Sequence, residues 1–438
     1  MTAAGEATDA PKPRPAARRR LPRGLSSFRH RNYRLYFSGQ LISITGTWIQ
    51  TLAQSWLILS LTTSPLMLGL VSVCQFAPVL ILGLVGGVAA DRFPKRSLLV
   101  VTQSLFGIVS GIIAILIWTH TIQLWHVFAL AILLGVVSAF DMPTRQAFVV
   151  EMVGPEDLTN AIALNSSIFN AARIVGPAVA GVLLATVGTA ACFAIDAVSY
   201  VAVIGGMLLM RLQDRPLALS GSHLERLREG VSYVRRTPAI YLPTLLIGLI
   251  AAFGMNFNIW VPLLAKQDLG VGASGFGILM SSLGVGSLTG ALSIAFLGRL
   301  PAWHLVLTTA FALGSLELLL ALGVSLFPIV ILMAILACLG FSMTTTSAMA
   351  NTRIQAIAPD PLRGRVMSVY TTVFTGTSPF GALLVSGIAA GIGTPGSLAV
   401  GGAATVGSVA LIALLGHFVG VPIAPRLTAR RSIPEPGD

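Results

Sequence analysis

Charge is scarce in this sequence. Asp, Glu, Lys and Arg make up 10% of its 438 residues, against roughly a quarter in soluble globular proteins. That shortage excludes an ordinary soluble enzyme. Acid is the scarcer sign, with 16 Asp and Glu against 28 Lys and Arg and a formal charge of +12. Only three cysteines occur, Cys74, Cys192 and Cys338. Each lies inside an apolar run, which leaves neither metal-ligand spacing nor a disulfide framework. No loop of the GxxxxGK[ST] type is present, so no ATP-binding domain and no primary pumping by this chain alone is expected. The six histidines show no paired spacing beyond His120 and His126, which argues against a membrane enzyme built on a His and carboxylate constellation. Residues 1–30 contain no apolar segment, so no cleavable signal peptide is expected there. Their Pro-rich start and Arg18-Arg19-Arg20 read as a disordered basic arm.

Apolar sequence is abundant instead, at 55% of the chain, enough for about twelve helices of ~20 residues. An outer-membrane barrel would alternate polar and apolar positions in segments of ~10 residues, and the runs here are uninterrupted. Hydropathy places twelve spans, at 38–61, 66–90, 98–118, 124–142, 160–187, 189–210, 240–264, 274–298, 302–322, 327–350, 363–390 and 398–420. The expected fold class is an all-α polytopic membrane protein. An even count puts both termini on one side. Of the 28 Lys and Arg, all but Arg173, within the fifth span, and Lys266 fall on that side. The positive-inside rule then makes it the cytoplasm. The membrane therefore accounts for the basic balance, and no nucleic-acid partner is needed.

The longest connection, roughly 211–239, divides the chain into six spans plus six. Leu224, Leu227, Val231 and Val234 recur there at helical steps among Arg226, Arg228, Arg235 and Arg236, the pattern of a short amphipathic helix ended by Pro238. The expected organisation is a basic arm at 1–32, a six-helix bundle at 33–211, a linker at 212–238, a second bundle at 239–420 and a cytoplasmic tail at 421–438. The halves carry traces of duplication. Gly46 and Gln50 correspond to Gly254 and Asn258, and Thr144-Arg145 to Thr352-Arg353, all at an offset of 208. Pro155-Glu156-Asp157-Leu158 corresponds to Pro359-Asp360-Pro361-Leu362 after one four-residue gap.

The turn after span two reads Gly87-Val88-Ala89-Ala90-Asp91-Arg92-Phe93-Pro94-Lys95-Arg96. It resembles the loop signature of the major facilitator superfamily, with Pro94 in place of the usual glycine. Span five contains Arg173-Ile174-Val175-Gly176-Pro177-Ala178-Val179-Ala180-Gly181, which resembles a shortened antiporter signature of drug-export members. As backbone alone, Gly176-Pro177 is a packing kink. Further segments are similar to the branch of the enterobactin exporter and the macrolide-efflux proteins. They are Phe28-Arg29-His30-Arg31-Asn32-Tyr33-Arg34-Leu35-Tyr36, Gly46-Thr47-Trp48-Ile49-Gln50, Pro155 to Ala161, Ile195 to Tyr200, and Leu227-Arg228-Glu229-Gly230.

The resemblance implies a major facilitator fold, two six-helix bundles around a midplane site. It implies secondary export of a small amphipathic molecule (a siderophore, a macrolide-like drug or a secondary metabolite), driven by inward proton flow. A proton symporter or uptake facilitator of the same fold is the alternative. No cofactor or metal is implied. By resemblance Asp91 is an inner-gate latch at the edge of two helices, with Arg92, Lys95 and Arg96 facing headgroups and Gly176 and Pro177 shaping the gate helix. An ionisable residue deep in a span costs at least ~2.5–3.5 kcal/mol, so each needs an explanation. Arg173, near the midplane, suits an anionic substrate or a structural pair. Asp196 and Glu317 are the carboxylates well inside spans and candidates for proton coupling, with Asp141, beside Arg145, behind them. Gln50 and Gln54 share a face of span one, with Asn256 and Asn258 at matching depth on span seven. These amides suit either substrate contact or bonds between helices.

Overall fold

A computed structural model describes residues 23–211, 223–297, 302–359 and 362–418, and leaves some side chains within helices undescribed, those of Arg173 and Pro177 among them. Helix dominates the described residues, and no strand occurs among them. After a 3-10 helix at Arg23–Arg29, the order is α1 (Arg31–Leu61), α2 (Leu66–Arg92), α3 (Lys95–Trp118), α4 (Leu124–Thr186), α5 (Gly188–Leu208), α6 (His223–Arg236), α7 (Pro238–Phe253), α8 (Phe257–Leu263), α9 (Ala273–Leu297), α10 (Trp303–Gly323), α11 (Ile329–Ile357) and α12 (Arg363–Phe418). Among the described residues, nine stretches are long and apolar enough to cross a membrane.

Two long helices are each two helices joined at a glycine. In α4 the break is Gly154, at φ 71° and ψ 176°. In α12 it is Gly393, at φ 80° and ψ 169°. This backbone region belongs almost entirely to glycine, and another residue there would be strained by about 1–3 kcal/mol. Pro155 directly follows the first break and Pro395 lies two residues beyond the second, where a fixed φ starts a helix well. Hydropathy had treated 240–264 as one span. The structure breaks it after α7, which ends on Gly254, and α8 starts from Asn256.

Polar residues face inward and apolar ones outward, the reverse of a soluble helix. On α1 the residues Gln40, Ser43, Gly46, Gln50 and Gln54 are all buried, whereas Leu41 and Ile42 are exposed. Lipid solvates the exposed side chains, so tight packing between helices falls to small residues. Helices α1 to α5 pack among themselves, as do α7 to α12. The linker helix α6 lies against the start of α12, where Glu229 pairs with Arg365 and Gly230 sits against the Arg365 backbone.

The 3-10 helix docks on the turn after Gly154. The Ser27 amide donates to Asn160 Oδ1 at 2.9 Å, the Ser27 hydroxyl donates to the Asp157 carbonyl at 3.1 Å, and His30 Nε2 lies 2.9 Å from Asp157 Oδ2. Hydrogen bonds from Ser26 and then His30 hold the Asp157 carboxyl below the usual carboxylate range. A lowered value means the clamp is complete above the ordinary range and is lost as pH falls through the lowered one. The mobility of a spin label at residue 29 is therefore expected to rise only at acid pH. In His30→Ala the midpoint should move up toward about 4, and an unchanged midpoint would remove His30 from the clamp.

Candidate functional site

The two sets of helices meet at the end remote from the Asp91 turn. Every close glycine approach between the sets among the described residues lies there. Gly181 of α4 and Gly277 of α9 touch backbone to backbone, so that a Cβ on Gly181 would stand 2.2 Å from Gly277 Cα. Gly69 of α2 lies against Ala382, Leu383 and Ser386 of α12. Trp56 stacks on Phe276 at 5.5 Å. The turn after α8 adds polar ties. Lys266 donates to the carbonyl of Leu59 and lies 5.9 Å from the Trp56 ring, and Gln267 donates to the Thr63 carbonyl at 2.9 Å. Leu59 is in the last turn of α1, where carbonyls lack helical partners and the helix dipole favours a cation. Lys266 is thus a helix cap supplied by the other half of the molecule.

Beneath this closure lies a small cavity of about 50 Å³, lined by Trp48, Met255, Phe257, Asn258, Met280, Leu283, Gly284, Ser287 and Met343. In this state it has room for a few water molecules only. Trp48 belongs to one set and the remaining lining residues to the other. The break at Gly254 opens the cavity wall: it places Met255 in the cavity and leaves the Asn258 side chain exposed to it. Gly176 allows α4 to lie against Trp48, since a Cβ there would stand 2.4 Å from the tryptophan Cβ.

The other sequence-derived amides do not face the cavity. Gln50 and Gln54 are buried, and Gln50 Nε2 donates to Gln54 Oε1 at 3.0 Å. Asn256 turns back on its own chain, donating to the Ala252 carbonyl at 2.9 Å. Its job is to satisfy the broken helix. Asn258 alone of the four lines the cavity. The Arg173 and Pro177 side chains lie outside the described residues.

Asp141 lies in a network that sequence spacing does not reveal. Its Oδ1 accepts from Thr102 at 2.8 Å and Gln103 at 2.7 Å. Its Oδ2 accepts from Arg145 Nε at 3.0 Å and from a terminal Arg145 nitrogen at 2.6 Å. Arg145 also donates to Gln40 of α1. One buried ion pair thereby ties α1, α3 and α4 together, with both carboxylate oxygens satisfied. Only the Asp141–Arg145 step was visible as an i,i+4 pair; Gln40, Thr102 and Gln103 lie too far along the chain.

Asp196 and Glu317 are different. Asp196 is 1% exposed, and its Oδ2 accepts from Ser110 at 2.6 Å while Oδ1 has no partner among the described residues. Glu317 is 0% exposed, with no hydrogen-bond partner for either oxygen among the described residues. At the opposite end of the molecule Asp91 and Arg92 are exposed. Lys95 pairs with Glu151 at 3.4 Å, and Arg96 donates to the Leu208 carbonyl at 2.7 Å, so both basic residues brace the first set.

The family model for transmembrane secretion effectors, a branch of the major facilitator superfamily, matches residues 23–436. The chain belongs to that family. It is a multi-pass membrane transporter and not an enzyme. Among curated proteins this transporter is similar to the staphyloferrin A transporter of Staphylococcus aureus, with 26% identity over 80% of this chain and 88% of the relative. It also resembles the multidrug efflux pump Tap of Mycolicibacterium fortuitum, 27% identical over 78% of this chain and 86% of that one. Macrolide efflux protein A of Streptococcus pyogenes is 23% identical over 81% and 90%. Among solved structures, a bacterial homologue of the lysosomal transporter Spinster, inward-facing and unoccupied, aligns with a TM-score of 0.63 and 15% identity over 91% of this chain and 96% of that one. The D-xylose–proton symporter aligns at 0.68 with 13% identity over 86% and 97%. At such identities the structures attest the fold alone.

Two outcomes follow for the transporter. Asp141→Asn leaves the Arg145 charge buried without its counter-ion and should cost about 3–5 kcal/mol, read as a lower unfolding temperature in detergent. The double variant with Arg145→Gln should recover most of that loss. Lys266→Met removes the cap and a cation–π contact of about 0.5–2 kcal/mol. Spin–spin distances between labels at residues 61 and 270 should then show a larger population separated at this end, and an unchanged distribution would show that the lysine does not hold the closure.

Proposed function

We propose that this chain is a secondary exporter of small amphipathic molecules, working by alternating access against an inward proton flow. The observation that carries the reading is the lining of the small cavity between the two sets of helices, which must widen in another state to admit a substrate. Trp48, Phe257, Met255, Met280 and Met343 offer aromatic and polarizable surface, with Asn258 and Ser287 as hydrogen-bonding points. Thioether side chains adapt to irregular partners, which suits a macrolide-like or drug-like molecule whose apolar skeleton carries scattered polar groups. Relatives named for siderophore, drug and macrolide traffic support the same substrate range.

In this reading the chain crosses twelve times, with bundles at 33–211 and 239–420, a linker at 212–238 and both termini in the cytoplasm. The asymmetry of Lys and Arg supports that orientation. The closed end is then the outer face, held by Lys266, Trp56 and the Gly181–Gly277 contact, and the state is inward-facing. Substrate enters from the cytoplasm or inner leaflet and is carried by rocking of the bundles. In the opposite state the inner ends converge, and there Asp91 is the latch, with Arg92, Lys95 and Arg96 anchored to headgroups. Gly176, with Pro177, lets α4 pivot against Trp48. Gln50, Gln54 and Asn256 reach substrate only if their present bonds exchange during the cycle. Asp196, buried and incompletely bonded, is the first coupling group; Asp141, satisfied by Arg145, serves the scaffold in this state.

Inverted membrane vesicles with an acid lumen test this, using erythromycin, ethidium and staphyloferrin A as probes. At least one should accumulate when the pH gradient is imposed, by up to about tenfold per pH unit for each proton exchanged. Asp196→Asn, which mimics the permanently protonated form, should lower the accumulation ratio while leaving counterflow exchange intact. Accumulation only with the gradient reversed would make the protein a symporter. An unchanged accumulation ratio in Asp196→Asn would move the coupling elsewhere.

A further inference from the structure

The two incompletely bonded carboxyls occupy equivalent places in the two halves, with acid and hydroxyl exchanged. In the first half Asp196 of α5 accepts from Ser110 of α3 and lies, with Ser199, beside Gly46 of α1. A Cβ on Gly46 would stand 3.0 Å from Asp196 Oδ1 and 2.6 Å from Ser199 Oγ. In the second half Glu317 of α10 faces Thr405 of α12, and both lie beside Gly254 at the end of α7. A Cβ on Gly254 would stand 3.1 Å from Glu317 Oε1 and 2.5 Å from Thr405 Oγ1. Gly46 and Gly254 are the pair related by the offset of 208.

The neighbouring helices match within one residue of that offset. Gly107 and Ser110 of α3 correspond to Gly314 and Glu317 of α10 at 207, and Asp196 and Ser199 of α5 to Thr405 and Ser408 of α12 at 209. The packing repeats as well. Gly107 lets α3 lie against the Ala197 carbonyl and Tyr200 of α5, and Gly314 lets α10 lie against the Gly402 carbonyl and Thr405 of α12. So each half holds one acid, one hydroxyl and one glycine where its first, third and sixth helices cross. The acid is on the sixth helix in one half and on the third in the other.

No other charge is placed to compensate either acid among the described residues. Around Asp196, α5 brings Cys192 and Tyr200 one turn to either side, α1 brings Thr47, 3.4 Å from the Tyr200 hydroxyl, and α3 brings no ionisable group to the contact. Of the described charged side chains on α4, Asp141 and Arg145 are closed on each other. Around Glu317, α7, α8 and the second part of α12 bring no ionisable group. Arg353 of α11 lies 5.8 Å from the ring of Trp303, at the far end of α10, about 20 Å along the helix from Glu317. An isolated ionised carboxylate in such surroundings is among the costliest groups to bury.

We propose that Asp196 and Glu317 form a quasi-symmetric pair of proton-binding nodes, one per half, each gated by the approach of its half's first helix at Gly46 or Gly254. This deepens the proton-coupled reading and rests on it for its role in transport. A glycine at the crossing lets the carboxyl lie against bare backbone. When the first helix bends or slides there, the carboxyl meets water or a new donor and releases its proton, which returns when the crossing closes. With both nodes cycling, two protons enter for each substrate that leaves.

Difference infrared spectroscopy of the full-length protein in lipid nanodiscs tests the nodes without any substrate. The spectrum should contain two buried carboxylic-acid carbonyl bands. Asp196→Asn should remove one, Glu317→Gln the other, and the double variant both. Thr405→Val and Gly254→Ala keep the acid and should shift only the Glu317 band, while Ser110→Ala and Gly46→Ala should shift only the Asp196 band. If Glu317→Gln leaves the acid bands unchanged, or if Gly254→Ala moves neither band, the paired nodes are overturned. Transport then separates the two readings. In the vesicle assay the accumulation ratio should rise by about a hundredfold per pH unit for two protons and about tenfold in Glu317→Gln. A tenfold slope in both overturns the role of Glu317 in coupling and leaves the exporter reading standing. Loss of all gradient-driven movement in the wild type, with both bands present, overturns the proton-driven reading and leaves the nodes.

Discussion

The hydrocarbon interior of a bilayer offers no hydrogen bonds, and that single constraint orders this molecule. Every polar side chain within it must be answered by another part of the chain. The Asp141–Arg145 pair shows the constraint met in full: Thr102, Gln103 and Gln40 complete the coordination and join three helices. Asp196 meets it in part, and Glu317 not at all among the described residues. A sequence with so few charges keeps these two where no cation reaches them among the described residues.

Glycine does the structural work that apolar burial does in water. Because lipid solvates leucine as well as protein does, helices associate through backbone approach and shape. Gly181 against Gly277, and Gly69 against Ser386, bring the halves together at one end. Gly46, Gly107, Gly254 and Gly314 do the same within each half. Contacts of this kind are short-ranged and abrupt, so they favour two discrete packings over a continuum, as rocking requires.

Much of this was legible in the sequence. The apolar runs announced a helical membrane protein, and the loop after span two together with the Phe28 to Tyr36 entry announced the family. The offset of 208 carried more than a sign of duplication, since it also located the two glycines against which the buried acids lie. Other features were hidden for physical reasons. Gln50 and Gln54 share a face, but whether such amides meet a substrate or each other depends on what stands opposite. The break at Gly254 could not be told from the unbroken passage at Gly46, because both glycines sit in helix-compatible runs with scattered polar residues and only packing decides between them. Gln40 and Gln103 read as incidental polar residues until the fold brings them to one ion pair.

The tie between Lys266 and α1 has an evolutionary consequence. Its acceptor is the main-chain carbonyl of Leu59 and not a side chain. Any residue at position 59 presents the same oxygen, so drift along that stretch of α1 leaves the tie intact. Only the lysine can be lost. Homologues would then vary this closure through one codon, tuning how long the gate stays shut without redesigning the helix it rests on.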